Sequence, residues 1–282
     1  MSHPDRGLAG RIRPISVAAL SFSALMVAAA LAPEYLGNIE PDQALKGPLE
    51  VFPFGTDTRG RALVDYATQG ARVVALPALA AGILVGLFGI VGGILRCVGS
   101  ERVNAILQAF SEIVGALPRM VVILVVALLV PRDHRSLLPL ALTWAVLAAP
   151  GAMDEAAAVA ERLGGSRFVE ALRAHGYSAG RIFLVHVVGY NLRPVIVRQG
   201  AETMMQVVFL EIALSYLALA ENQPSFTHGD ALMSWADLLK LGYPSLIPSL
   251  GYDSGHALVL ALGLLGVVAA MAIAIGRAAR AR

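Results

Sequence analysis

The sequence predicts an all-α polytopic membrane protein with about six transmembrane helices. Of its 282 residues, 57% are hydrophobic and only 15% charged, where a soluble globular domain carries about 25% charged residues. Mean hydropathy is +0.68. The apolar residues also fall in long blocks, and about 20 such residues in a helix cover the ~30 Å hydrocarbon layer. These observations exclude an ordinary soluble enzyme, a disordered chain and a collagen. A single cysteine, Cys97, excludes an intramolecular disulfide framework and a thiolate zinc cluster. The net charge of +2 is spread without a basic run, so no nucleic-acid partner is expected.

The first apolar segment, 15–32, follows Arg6, Arg11 and Arg13 and stops before Pro33. Ala30-Leu31-Ala32 has the form of a signal-peptidase site. The apolar run, however, exceeds the ~7–15 residues of a signal h-region, and Pro33 would directly follow the scissile bond; a retained span is expected. Further spans are expected at 73–95, 104–130, 137–153, 195–220 and 254–276, the third interrupted by Glu112, Pro118 and Arg119. The organisation is then an amino-terminal region over residues 1–72 (cytoplasmic start, first helix and outer segment), a transmembrane domain 73–276, and a cytoplasmic tail 277–282. Within the domain, 154–194 forms a cytoplasmic loop and 221–253 an outer loop. With both termini cytoplasmic, twice as many Lys and Arg face the cytoplasm as face outward, the bias that sets membrane orientation.

Candidate chemistry is sparse. Ala75, Ala78, Gly82, Gly86, Gly89 and Gly93 fall on one face of the second span. Small residues let helix backbones approach where lipid supplies no hydrophobic drive. Helix packing within the chain is the simpler reading, a subunit interface or sliding surface the sharper one. Ionisable groups inside membrane segments are costly and often functional, so Glu112, Glu202, Gln206, Glu211 and Ser215 are candidates to line a pathway or gate. Gln199, Glu202 and Gln206 share one helical face, and Glu211 lies about 180° from Glu202. Arg198 and Glu202, four residues apart, are placed to pair. Such a set is too thin for a proton relay across the bilayer. His175 and His186 are separated by a turn at Gly176, and no metal site is expected. There is no P-loop, Gly-x-Ser-x-Gly or His-Glu-x-x-His pattern, so no catalytic residues are assigned.

The stretch 168–188 is the most informative. Helical spacing runs to His175, Gly176 supplies a left-handed stop, and Ser178 can cap a new helix near Ala179. The product is a helix–turn–helix projecting from the membrane, suited to internal packing or to docking a partner.

Glu170-Ala171 followed by Gly176 resembles the EAA loop of bacterial ABC importer permeases. Other pieces resemble the dipeptide/oligopeptide/nickel branch, its C-type subunit in particular. These are Phe52-Pro53-Phe54-Gly55-Thr56-Asp57-Thr58-Arg59-Gly60-Arg61 continuing to Gly70-Ala71-Arg72, Glu112 with Leu117-Pro118, Glu211-Ile212-Ala213-Leu214-Ser215-Tyr216-Leu217, and Ser234-Trp235 with Asp237-Leu238-Leu239. They occur in the family's order. The chain departs from the family pattern at Leu172, Gly189, Ala236 and in its tail.

The resemblance implies a type I ABC importer permease fold in the bacterial inner (cytoplasmic) membrane, importing peptides or peptide-like solutes. It implies a second homologous permease subunit in a heterodimer, two ATPase subunits carrying ATP and Mg, and a periplasmic or extracellular solute-binding protein. No cofactor is expected on this chain, which is a transport subunit and not an enzyme. By the same resemblance Glu170, Ala171, Arg173, Gly176 and Arg181 form the ATPase-coupling element, and Asp57, Arg59, Arg61, Trp235 and Asp237 meet the binding protein or brace the outer gate. A nickel or metal-chelate importer is the alternative within the family. An ion-gradient-driven secondary transporter is the alternative outside it; that reading predicts inverted repeats and broken helices at the midplane, and neither is evident.

Overall fold

A computed structural model describes residues 27, 31, 39–98, 100–131, 136–164, 167–182, 185–186, 191–220, 234–243 and 255–280. Nearly all of the expected first span, most of the loop 221–253 and the last two residues of the tail lie outside the described residues. A 3-10 turn at Pro41–Gln43 is followed by α1 (Leu63–Val98), α2 (Glu101–Ala116), α3 (Arg119–Leu129), α4 (Leu137–Gly164) and α5 (Arg167–Ala174). A helical turn at Ala179–Arg181 leads on to α6 (Arg193–Ala220), α7 (Trp235–Gly242) and α8 (Gly255–Arg280). Among the described residues the extended pairing is limited to an isolated bridge between Thr56 and Ala62.

α1 begins at Leu63 and not near Val73, where continuous apolarity starts. Its opening turns bury polar and apolar residues alike: Leu63, Tyr66 and Ala71 are buried, and so are Asp65 and Gln69. α7 packs on this stretch through Trp235, whose Nε1 donates to the Ala67 carbonyl, a contact that an apolarity scan does not see. The interruption expected in the third span is an 81° bend between α2 and α3. Leu117 there is extended, at φ −76° and ψ 132°, because a following proline disfavours helical geometry in the residue before it. Pro77 and Pro150, by contrast, sit inside α1 and α4. Neighbouring helices and local adjustments make such prolines tolerable within membrane segments.

Stretches Leu63–Arg96 and Leu137–Val159 are long and apolar enough to cross a membrane, and α2 with α3 makes a third if the bent pair is one span. Gly255–Met271 is a shorter apolar helix. The chain is therefore multi-pass. The expected fifth segment folds as α6; the expected count of about six is not reached among the described residues.

α1 is the central helix, packed chiefly on α4 and α6, while α8 packs on α6 and α7. The core draws Val74, Ala81 and Val85 from α1, Leu140, Ala141 and Ala145 from α4, Val207 and Leu210 from α6, and Trp235 and Leu238 from α7. Small residues make the helix seams. A Cβ on Gly82 would lie 2.9 Å from the Gly200 carbonyl of α6, and one on Gly93 would lie 2.9 Å from Cβ of Ala156 on α4. The glycine stripe of α1 is thus taken up inside the chain: Gly82 and Gly86 face α6, and Gly89 and Gly93 face α4.

Candidate functional site

Between α4 and α6, the described residues 167–182 form a helix, a turn and a short second helical turn, a hairpin whose surface is largely exposed. α5 closes in a Schellman motif: Tyr177 N–H donates to the Leu172 carbonyl at 3.2 Å and Gly176 N–H to the Arg173 carbonyl at 2.9 Å. Gly176 occupies the left-handed position at φ +79°, which glycine adopts without steric cost. Ser178 then opens the next helical turn, its carbonyl accepting from Ile182 N–H at 3.0 Å and its Oγ lying 3.4 Å from Arg181 N. Glu170, Ala171, Arg173, Gly176 and Arg181 are all exposed. The Arg181 guanidinium lies 4.9 Å from the centre of the Tyr177 ring, and that ring meets His186 edge-on at 5.7 Å. Ile182, at the end of this turn, is buried, only 1% exposed. The hairpin's apex is bare: a Cβ at Gly176 or Gly180 would meet nothing within 4 Å.

At the other end of α1, residues 39–62 fold around Asp57. The buried Asp57 carboxylate accepts from Arg59 N–H at 2.7 Å, Arg61 N–H at 2.8 Å and the Tyr66 hydroxyl at 2.7 Å. Arg59 and Arg61 enter this arrangement through their backbones. Trp235 is 1% exposed and donates from Nε1 to the Ala67 carbonyl at 3.0 Å. Asp237 forms a capping box with Ser234 and pairs with Lys240 at 3.2 Å. The sequence signal at 234–237 is therefore also a helix start, in which two backbone donors are satisfied reciprocally.

The pathway candidates do not share one environment. Glu112 is exposed on α2 and accepts from Gln108 at 3.0 Å. Glu202 is exposed on α6 beside the half-buried Gln206, at 3.5 Å, and Gln206 accepts from Trp144 Nε1 of α4 at 2.9 Å. Glu211 and Ser215 are fully buried, with the Ser215 hydroxyl 3.3 Å from Glu211. The expected Arg198–Glu202 pairing is not what forms. Arg198 reaches across to Glu155 of α4, which also accepts from Gln199 at 2.7 Å. Glu155 is more withdrawn from water than Glu202, so the guanidinium is worth more there.

Sequence reading missed this carboxylate and its neighbour. Asp154 pairs with Arg96 of α1 at 2.7 Å, and Ser111 of α2 lies 3.4 Å from Arg96 and 3.5 Å from Asp154. Their signal was present as two acids at the end of an apolar run, 137–153, but their partners lie on other helices.

No protein-family model matches the chain. Among curated proteins it is similar to the dipeptide transport system permease protein DppC of Lactococcus lactis subsp. cremoris, 26% identical over 178 residues covering 63% of this chain and 51% of that protein. The oligopeptide transport system permease protein OppC of Bacillus subtilis is 25% identical over 204 residues, 71% of this chain and 62% of that protein. The probable D,D-dipeptide transport system permease protein DdpC of Escherichia coli is 24% identical over 225 residues, 77% and 73%. The chain thus spans about half the length of the first of these relatives and about three fifths of the second. All three carry the name of the branch that the sequence motifs resemble.

Proposed function

We propose that this chain is a transmembrane permease subunit of an ATP-driven, binding-protein-dependent importer of peptides or peptide-like solutes. The observation that carries the reading is the exposed α5 hairpin, set between two long helices of a multi-pass chain that is similar over 63–77% of its length to dipeptide and oligopeptide permeases. In this reading the hairpin docks on an ATPase subunit. Ala171 and Gly176 permit close approach, and Glu170, Arg173 and Arg181 supply charged contacts at the rim. α4 and α6 enter and leave the hairpin, so its displacement passes directly to helices that pack on α1. Glu112 of α2 with Glu202 and Gln206 of α6 line the pathway with a homologous second permease subunit. Glu211 and Ser215 are core residues that shape its packing. The segments around Asp57 and Trp235 brace the outer end, where a solute-binding protein delivers substrate. ATP and Mg belong to the ATPase subunits, and this chain holds no cofactor.

The test is uptake by proteoliposomes holding the full complex. Peptide accumulates only with ATP on the hairpin side and loaded binding protein on the other, and dissipating ion gradients leaves uptake intact. Ala171→Asp or Gly176→Asp places a charge at the dock, where desolvation without a partner costs several kcal/mol; each abolishes ATP-driven uptake while the chain still inserts. Uptake by this chain alone along a proton or sodium gradient would overturn the proposal.

A further inference from the structure

α4 carries two adjacent carboxylates that reach in different directions. Asp154 bonds to Arg96 of α1 at 2.7 Å, with Ser111 of α2 close to both partners. Glu155 bonds to Arg198 and to Gln199 of α6, the latter at 2.7 Å. Successive helical residues point about 100° apart, so one position on α4 is fastened to α1 and α2 on one flank and to α6 on the other. The pairs are neither fully wet nor fully dry: side-chain exposures are 19% and 52% for Arg96 and Asp154, and 32% and 34% for Arg198 and Glu155.

The position matters because α4 and α6 are the two arms of the hairpin. From Glu155 to the end of α4 at Gly164 is about 13 Å of helix, and from Arg193 to Arg198 on α6 about 8 Å, at 1.5 Å per residue. Glu155 therefore ties the two arms together about two and a half turns before α4 ends and little more than one turn after α6 begins. Arms tied there move as one body, whereas arms untied there can splay and absorb a displacement of the hairpin. The neighbouring seam of small residues, Gly89 and Gly93 against Ala152 and Ala156, holds α4 on α1 by contact alone and fixes no polar register.

We infer that Glu155 with Arg198 and Gln199, and Asp154 with Arg96, form a strut that makes α4, α6 and α1 respond together to movement of the hairpin. These are positioning residues and do not touch substrate. The inference rests on the permease reading for what drives the hairpin, but its mechanical side is read on this chain alone.

The experiment therefore has two arms. In the first, nitroxides are attached at Ala158→Cys and Arg193→Cys, both exposed sites, in a Cys97→Ser background, and the distance distribution is measured by double electron–electron resonance. Glu155→Gln broadens the distribution, and the charge exchange Glu155→Arg with Arg198→Glu narrows it again. In the second, the full complex is assayed in proteoliposomes for peptide imported per ATP hydrolysed. Glu155→Gln lowers that ratio about tenfold while hydrolysis continues, and the exchange restores most of it, the non-additivity that marks a direct pair. An unchanged distribution in Glu155→Gln, or a loss of import ratio that the exchange does not repair, would overturn the strut. Where Glu155→Gln fails to accumulate, Gln199→Leu serves in its place, since it removes one donor and leaves the charge pair. A wild-type complex that imports nothing with ATP, while the distribution still responds to Glu155→Gln, refutes the permease reading and leaves the strut standing.

Discussion

Trp235 Nε1 donates to the carbonyl of Ala67 at 3.0 Å across 168 residues of sequence. The indole lies where α1 has Gly70: a Cβ there would stand 2.4 Å from Cδ1 of Trp235. One glycine and one tryptophan thus fasten α7 to the first turns of α1. Truncating a buried tryptophan costs about 3–5 kcal/mol, so Trp235→Ala lowers the thermal unfolding temperature of the purified chain sharply. Gly70→Leu does the same from the other side, and the two losses are less than additive because they destroy one contact.

Asp57 organises the segment before α1 by accepting from two backbone N–H groups and the Tyr66 hydroxyl. Asp57→Ala leaves three donors without their acceptor and destabilises by about 2–3 kcal/mol, while Tyr66→Phe removes one bond and costs about 1 kcal/mol. Limited proteolysis within 39–62 checks the ranking: Asp57→Ala is cut fastest, Tyr66→Phe more slowly, and the unaltered chain most slowly.

Glycines that look alike in sequence behave differently. Gly82→Ala drives a Cβ to 2.9 Å from a backbone carbonyl of α6 and costs about 1–3 kcal/mol. Gly263→Ala on α8 meets nothing within 4 Å and is neutral or stabilising by up to ~1 kcal/mol through helix propensity. Thermal unfolding of the two variants side by side separates them.

Gly176→Ala tests the hairpin stop. The site is open, so the cost is that of a left-handed conformation with a Cβ, about 1 kcal/mol, and it falls on the hairpin alone. Global unfolding shifts little while proteolysis near 175–178 accelerates. Gly176→Asn, which tolerates this geometry better, gives the smaller acceleration.

Cys97 is a built-in topology probe. Arg96 and Arg102 bias the end of α1, where Cys97 lies, toward the cytoplasm. An impermeant maleimide leaves Cys97 unlabelled in intact spheroplasts, and an accessible thiol is labelled once the membrane is permeabilised. Labelling from outside would overturn the expected orientation.

The sequence by itself determined whatever depends on neighbours along the chain. Blocks of apolar residues marked membrane segments, Pro118 marked the break between α2 and α3, and Gly176 with Ser178 marked the hairpin turn, because each is a matter of local dihedral preference and helical period. The small-residue stripe told that α1 would be approached closely; that Gly82 meets α6 and Gly93 meets α4 was a matter of which helices lie beside α1. The tertiary structure alone decided partners. Arg198 could pair with Glu202 one turn away or with Glu155 forty-three residues back; the fold sets Glu155 in the less hydrated place and brings it within reach. Glu211 and Glu202 read alike in sequence, yet one is sealed in the core and the other exposed. The start of α1 at Leu63 was hidden for the same reason: Asp65 and Gln69 break the apolar run, and the packing that buries them and sets Trp235 of α7 against Ala67 and Gly70 leaves no period in the sequence.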